Sequence, residues 1–227
     1  MTQKTLGMKT VMFDLSQTLL NCVPDQKKYP GMAKQVDLLR VLHPEEVNIL
    51  SCNERVGRER FGQALEIVQN TLDRLIVNGE ITPVLFESTR PTLDYLAGRY
   101  ELGCLSTGTT EGIRFALENS GIINCFRPDL ILSTVRFGRD LRKDDLLLWD
   151  ELNSVFKEKG LRMVAYVDDK PNSIRAAVSS GTVSSRGGYN IVAGYEGPQE
   201  ITEEGVSFIR VPEIGGILNN GVLRKES

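Results

Sequence analysis

Phe13-Asp14-Leu15-Ser16-Gln17-Thr18-Leu19-Leu20 places an aspartate at the end of a short apolar run, Thr10 to Phe13, and follows it with small polar residues. A run this short, ended by an acid, has the character of a buried strand in a parallel sheet. Four further runs share that character: Leu102 to Leu105, Leu130 to Leu132, Met163 to Val167 and Val206 to Val211. Longer amphipathic segments separate them, and this alternation predicts an α/β protein with a parallel sheet and crossover helices. Three of the runs end directly in residues capable of chemistry: Asp14, Ser106 and the pair Asp168-Asp169. In open α/β sheets ligands collect outside the carboxyl ends of the strands, so these residues are expected to face one another.

Helices are expected over Thr109 to Asn119, Asp144 to Glu158 and Asn172 to Ser179, each followed by a glycine that can take the left-handed stop position: Gly121, Gly160 and Gly181. The stretch from about Asn21 to Pro83 does not keep the strand-helix rhythm. Its Phe61, Leu65, Val68, Leu72, Leu75 and Ile76 recur three or four apart, which predicts helices packed by one apolar face. Beyond Gly187 the chain is rich in glycine and polar residues, and one more strand with a short terminal helix near Pro212 to Leu218 is expected.

At 227 residues the chain has room for one ordinary α/β domain with a modest insertion. Hydrophobic residues at 41% and charged residues at 25% exclude a disordered or fibrous chain. The 27 basic and 30 acidic residues leave a net charge of -3, without the broad basic field that nucleic acid requires. No apolar stretch approaches the ~20 residues of a membrane span, and the polar N-terminus is unlike a signal peptide, so a cytoplasmic protein with no membrane partner is expected. Cys22, Cys52, Cys104 and Cys125 form no Cys-x-x-Cys pair, which leaves reduced, mostly buried thiols.

Two adjacent acids ending an apolar strand repel unless a cation neutralises them. Magnesium suits such a place, because it takes oxygen ligands and is commonly held by one or two carboxylates plus a substrate phosphate. Lys143, just ahead of the helix expected from Asp144, is placed where an ammonium reaches the strand ends. Ser106-Thr107-Gly108-Thr109-Thr110 opens a helix with hydroxyls and free amides, which suits phosphate. His43 is the only histidine and reads as a residue at a helix start, and Trp149 reads as core packing on the sheet.

Taken in order, these four segments resemble the four motifs of the haloacid dehalogenase-like superfamily. Asp14 matches the nucleophile of its first motif, Asp-x-Asp-x-Thr, with Thr18 in place; Ser106 matches the second, Lys143 the third, and Asp168-Asp169 the paired acids of the fourth. The resemblance covers roughly residues 8 to 20 and 85 to 218. It implies a Rossmann-like core from residues 1–20 and 85–227, and a helical cap of the C1 type from residues 21–84 that closes over the site and selects substrate. It further implies magnesium held by Asp14, Asp168, Asp169 and the backbone carbonyl of Ser16. A small phosphorylated molecule would then be bound by Ser106, Thr107, Gly108 and Lys143.

One position departs from that pattern. The family's phosphatases use the second aspartate of the first motif as general acid and base, and Ser16 stands there. A serine hydroxyl titrates too high for that work, and losing such help typically costs about 10²–10⁴-fold. Asp14 can still attack phosphorus as a carboxylate nucleophile. Three explanations stay open: a phosphohydrolase whose leaving group needs no proton, a non-phosphatase reaction of the family, or a weakly catalytic binding protein. Within the second, dehalogenases need no acid for halide but have little use for the acid pair. A phosphonoacetaldehyde hydrolase would require a cap lysine, for which Lys34 is the candidate, only 20 positions after Asp14.

Overall fold

The computed structural model describes residues 7–51, 57–138 and 141–223. Cys52 lies outside them. In chain order the elements are β1 (Met8–Phe13), β2 (Leu20–Pro24), α1 (Gln35–Leu42), α2 (Pro44–Ser51), α3 (Arg58–Val77), β3 (Ile81–Leu85), α4 (Thr89–Ala97), β4 (Glu101–Ser106) and α5 (Thr110–Asn119). They continue with β5 (Ile131–Ser133), α6 (Leu146–Glu158), β6 (Leu161–Asp168), α7 (Pro171–Ser179), β7 (Gly188–Ile191), β8 (Glu200–Glu203) and β9 (Val206–Val211).

Seven strands form one sheet in the order β5-β4-β1-β6-β7-β9-β8. Its pairings are parallel except β8 with β9, so the α/β, mostly parallel architecture expected from the sequence is the one observed. Alternation along β1 divides the core: Val11 and Phe13 pack with one apolar cluster and Met12 with another. The first cluster takes in α4 and α5 through Leu93, Leu96, Ile113 and Leu117, and the second takes in α6 and α7 through Leu148, Trp149, Leu152 and Ile174. The sheet is therefore covered on both faces, as parallel strands require.

Helix ends follow their local chemistry. Thr109 accepts from the Gly112 amide (3.0 Å) at the start of α5, and Asp145 accepts from Leu147 (3.0 Å) at the start of α6, so α6 begins at Leu146 rather than Asp144. Gly121, Gly160 and Gly181 follow three of the helices at φ of 70°, 64° and 74°, conformations that a side chain would disfavour. Among the described residues, no helix is long and apolar enough to cross a membrane.

Two expectations are corrected. Residues 21–84 are not helical throughout, because β2 and β3 pair antiparallel in a two-stranded ribbon that carries the chain out of the core and back. Each is five residues long, and their partners lie some sixty positions apart, so neither stands out from local periodicity. The segment after Gly187 holds three strands instead of one. β7 spans only four residues, Gly-Tyr-Asn-Ile, and its buried asparagine conceals it, while β8 is a polar edge strand. The expected terminal helix is a 3-10 turn over Ile214–Asn219.

β7 can approach β6 only because residue 187 is glycine, since a Cβ there would stand 2.3 Å from the carbonyl oxygen of Val164. Gly187→Ala should cost about 1–3 kcal/mol, because a backbone oxygen cannot move aside as a flexible side chain does. A urea titration checks this, and an unchanged midpoint would mean that β7 shifts freely.

Candidate active site

The order of the sheet creates the site. From β1 the chain builds outward through β4 and β5 on one side, then crosses to β6 on the other, so β1 lies at a topological switch point. Phe13 pairs with Cys104 of β4 and Val167 of β6, which brings Asp14, Ser106 and Asp168 to the same end of neighbouring strands. Past Asp14 the backbone curls back, with the Leu15 carbonyl accepting from Leu19 (3.0 Å) and Leu20 (3.2 Å). Gln17 takes φ 65° in this curl, a left-handed conformation unusual for a residue with a side chain. Ser16 and Gln17 are thereby laid along the cavity wall. Thr18 is buried, its hydroxyl 3.4 Å from Oδ2 of Asp14.

Lys143 enters from the loop before α6. Its Nζ donates to Oδ1 of Asp14 (2.5 Å) and to Oδ2 of Asp168 (2.9 Å), and all three side chains are almost wholly buried. The Tyr166 hydroxyl also donates to Oδ2 of Asp168, and the Lys170 amide donates to its Oδ1 (2.7 Å). The indole N–H of Trp149 donates to the carbonyl of Lys143 (2.8 Å), and its ring lies edge-on to Tyr166 with centroids 4.7 Å apart. Trp149 is thus core packing, as the sequence suggested, and it also anchors the lysine loop. Asn190 of β7 fixes the backbone of the acid pair, its Nδ2 donating to the carbonyls of Asp168 (3.3 Å) and Asp169 (2.9 Å), while its Oδ1 accepts from Nε of Arg210 (2.8 Å).

The charges respond to this enclosure. Burial alone would lower the Lys143 ammonium, but Asp14 and Asp168 outweigh it and hold the group above its ordinary value, firmly protonated. Burial raises Asp14 in spite of the pull of Lys143. Asp168 is lowered, because its bonds with Lys143 and Tyr166 overcome burial. Asp169 is pushed up to about 7, first by burial and then by the charges of Asp14 and Asp168, which outweigh the pull of Lys170 and Lys143. One oxygen from each of the three carboxylates lies within 4.8 Å of the others.

A cavity of about 300 Å³ opens beside Asp14. Of the residues expected at the site, Ser16, Ser106, Thr107, Gly108, Lys143 and Asp169 border it with Asp14, whereas Asp168 stands behind them with its oxygens already engaged. Another part of the lining comes from α1 and α3, through Gln35, Gln69, Leu72, Asp73 and Ile76, so part of the α3 apolar stripe lines the cavity. Those polar residues, together with Tyr166, Asn190 and Lys170, were missed by sequence reasoning. Only Lys170 carried a signal, since it follows the acid pair directly.

Other candidates fall away on position. Cys22 borders the cavity, yet burial pushes its thiol up to about 12, so it is no nucleophile near neutrality. Cys104 is buried, and Cys22, Cys104 and Cys125 are all free thiols. His43 lies just ahead of α2, with Nε2 2.8 Å from the Thr71 hydroxyl, and Lys34 is exposed; neither borders the cavity.

No protein-family model and no curated protein matches the sequence. Solved structures do match. An L-2-haloacid dehalogenase of Xanthobacter autotrophicus with chloropropionic acid covalently bound superposes with a TM-score of 0.55 at 16% identity, over 92% of this chain and 96% of that one. The L-2-haloacid dehalogenase RSc1362 gives 0.58 at 17% identity, over 94% and 98%. A protein of Bacillus subtilis described as a HAD-hydrolase, in a form bound to magnesium, gives 0.57 at 12% identity, over 94% and 98%. Across nearly its whole length, this chain has the fold of the haloacid dehalogenase-like hydrolases.

Proposed function

We propose that the protein is a magnesium-dependent hydrolase of small phosphorylated molecules that works through an aspartyl-phosphate on Asp14, with residues 21–84 serving as a cap. The observation that carries this reading is the convergence of Asp14, Asp168 and Asp169 beside the buried Lys143 ammonium. The donor set fits magnesium: all ligand atoms are oxygen, and the Asp169 carboxylate has no hydrogen-bond partner among the described residues. Asp14, Asp169 and the Ser16 carbonyl would hold the ion, with Asp168 completing the negative charge behind them. Bound there, magnesium supplies the positive charge that lets an anionic phosphoryl group approach an anionic nucleophile.

The chain's own groups then have separable tasks. Lys143 holds Oδ1 of Asp14 and keeps positive charge between nucleophile and phosphate. Ser106, Thr107 and Gly108 offer a hydroxyl and backbone amides to the phosphoryl oxygens at the start of α5. An Asp14 oxygen forms a bond to phosphorus, and the bond to the leaving oxygen breaks with its electron pair. Water then attacks phosphorus, freeing inorganic phosphate and Asp14 and releasing a proton. Ser16 gives neither step an acid or base, so good leaving groups should dominate.

A dehalogenase-like reading draws on the same Ser16, because a halide leaves without a proton, and on the likeness to haloacid dehalogenases. It leaves the acid cluster without a task. Ser16 equally suits a weakly catalytic phosphate-binding protein. Turnover of acetyl phosphate against propyl phosphate with magnesium, beside halide release from 2-chloropropionate with chelator, separates the three. Acetyl phosphate should be hydrolysed far faster than propyl phosphate, and Ser16→Asp should raise propyl phosphate turnover by about 10²-fold or more. Equal wild-type rates would show that another group supplies the proton. Phosphate bound without turnover by either protein would favour the binding reading, and halide release would favour the dehalogenase.

A second prediction concerns pH and metal. Asp169 is raised from its ordinary 3.8 to about 7, so between those values the folded chain holds a proton that the unfolded chain has lost. Stability from this group is therefore present at low pH, falls as pH rises through that window, and is gone above it. Magnesium stabilises the ionised form, so its thermal shift should grow over the same range. Melting curves of wild type and Asp169→Asn, in chelator and in magnesium, check this. An identical pH dependence in the two proteins would remove Asp169 from the account. Asp169→Asn and Lys143→Ala should each weaken magnesium-dependent phosphate binding, as isothermal titration would show.

A further inference from the structure

We infer that the cavity wall supplied by α1 and α3 is a receptor for hydrogen-bond donors, so that the substrate's distal part carries hydroxyl or amino groups and no second anion. This deepens the phosphate reading above and rests on it. Two helices far apart in sequence bring acceptors to one cavity: α1 supplies Gln35, and α3 supplies Gln69 and Asp73. Oε1 of Gln35 and Oε1 of Gln69 are buried and have no hydrogen-bond partner among the described residues. Unmet buried acceptors are costly and uncommon, and two on residues that line one cavity call for donors that a bound ligand would bring once these side chains turn to meet it. The other end of the Gln69 amide is already spent on the Thr107 hydroxyl (3.2 Å), which ties this wall to the phosphate-binding turn.

Asp73 sets the sign. Its carboxylate accepts from the Thr109 hydroxyl and is half-buried against the first turn of α5. It fits there because residue 112 is glycine, since a Cβ would stand 2.0 Å from its Oδ1. The cations bordering the cavity, Lys143 and Lys170, act on Asp14 and Asp169. A carboxylate or second phosphate placed beside Asp73 would meet its charge and that of Glu111, and neither lysine is among the groups acting on Asp73. The volume of about 300 Å³ admits a phosphoryl group with only a few further atoms.

Isothermal titration of the whole protein with magnesium tests this on matched ligands: ethanolamine phosphate, glycerol 3-phosphate, propyl phosphate and 3-phosphooxypropanoate. The first two carry an amino or hydroxyl donor, the third carries none, and the fourth carries a carboxylate. The donor-bearing pair should bind about tenfold or more tighter than propyl phosphate, with the carboxylate ligand weakest. Asp73→Asn should reduce the preference for ethanolamine phosphate over propyl phosphate, and Gln35→Leu the preference for glycerol 3-phosphate. If all four ligands bind wild type equally, the inference is overturned while the phosphate reading stands. If the preferences appear but survive both substitutions, the assignment to this wall is overturned. If inorganic phosphate itself shows no magnesium-dependent binding, both readings fall together.

Discussion

The site depends on one buried ammonium. Asp14 ends β1 and Asp168 ends β6, and these strands are neighbours because the sheet order requires it. Two carboxylates so enclosed would not both stay ionised unaided. Lys143 resolves this by donating to both, and its own charge survives burial only because of them. Removing one member of such a group leaves uncompensated charge in the interior, so the three residues stand or fall together. Much of the nearby polar structure serves this arrangement: Trp149 anchors the lysine loop, Tyr166 shares Asp168, and Asn190 holds the backbone of the acid pair.

That compensation is incomplete, and the incompleteness points to function. Lys143 bonds Asp14 and Asp168, but Asp169 faces the cavity with two negative neighbours, and the pull of Lys170 and Lys143 does not offset them and its burial. A protein built for stability alone would have no reason to keep a third acid there. Magnesium explains it on the proposed reading, because a divalent ion turns mutual repulsion into a ligand set. Ser16 then limits what the set can accomplish. On that proposed reading, the nucleophile, the phosphate cradle and the cation site have their residues, and the proton donor beside the nucleophile does not.

The strand ends and their chemistry were legible in the sequence. Apolar runs closing on Asp14, Ser106 and Asp168-Asp169 need burial on both faces, so hydrophobic pattern alone marks them and the glycines close the intervening helices. The order of those runs also placed Lys143 before α6. By contrast, β2, β3, β7 and β8 are four or five residues each and owe their pairing to partners elsewhere in the chain. No local period reveals a strand whose stability is supplied by a distant neighbour.

For this protein, the sequence by itself determined the parallel core, the residues at its carboxyl edge, and a serine in place of an acid two positions after Asp14, because strand periodicity and side-chain chemistry are local properties. Only the tertiary structure decided which of the paired acids is engaged by Lys143 and which faces the cavity. It alone also brought Gln35, Gln69 and Asp73 to the same cavity as Asp14. Those residues join α1 and α3 to strand ends about 20 to 130 positions away in the chain. They are set by how helices pack over the sheet, and the side chains involved are ordinary polar residues that carry no sequence signal until folding places them together.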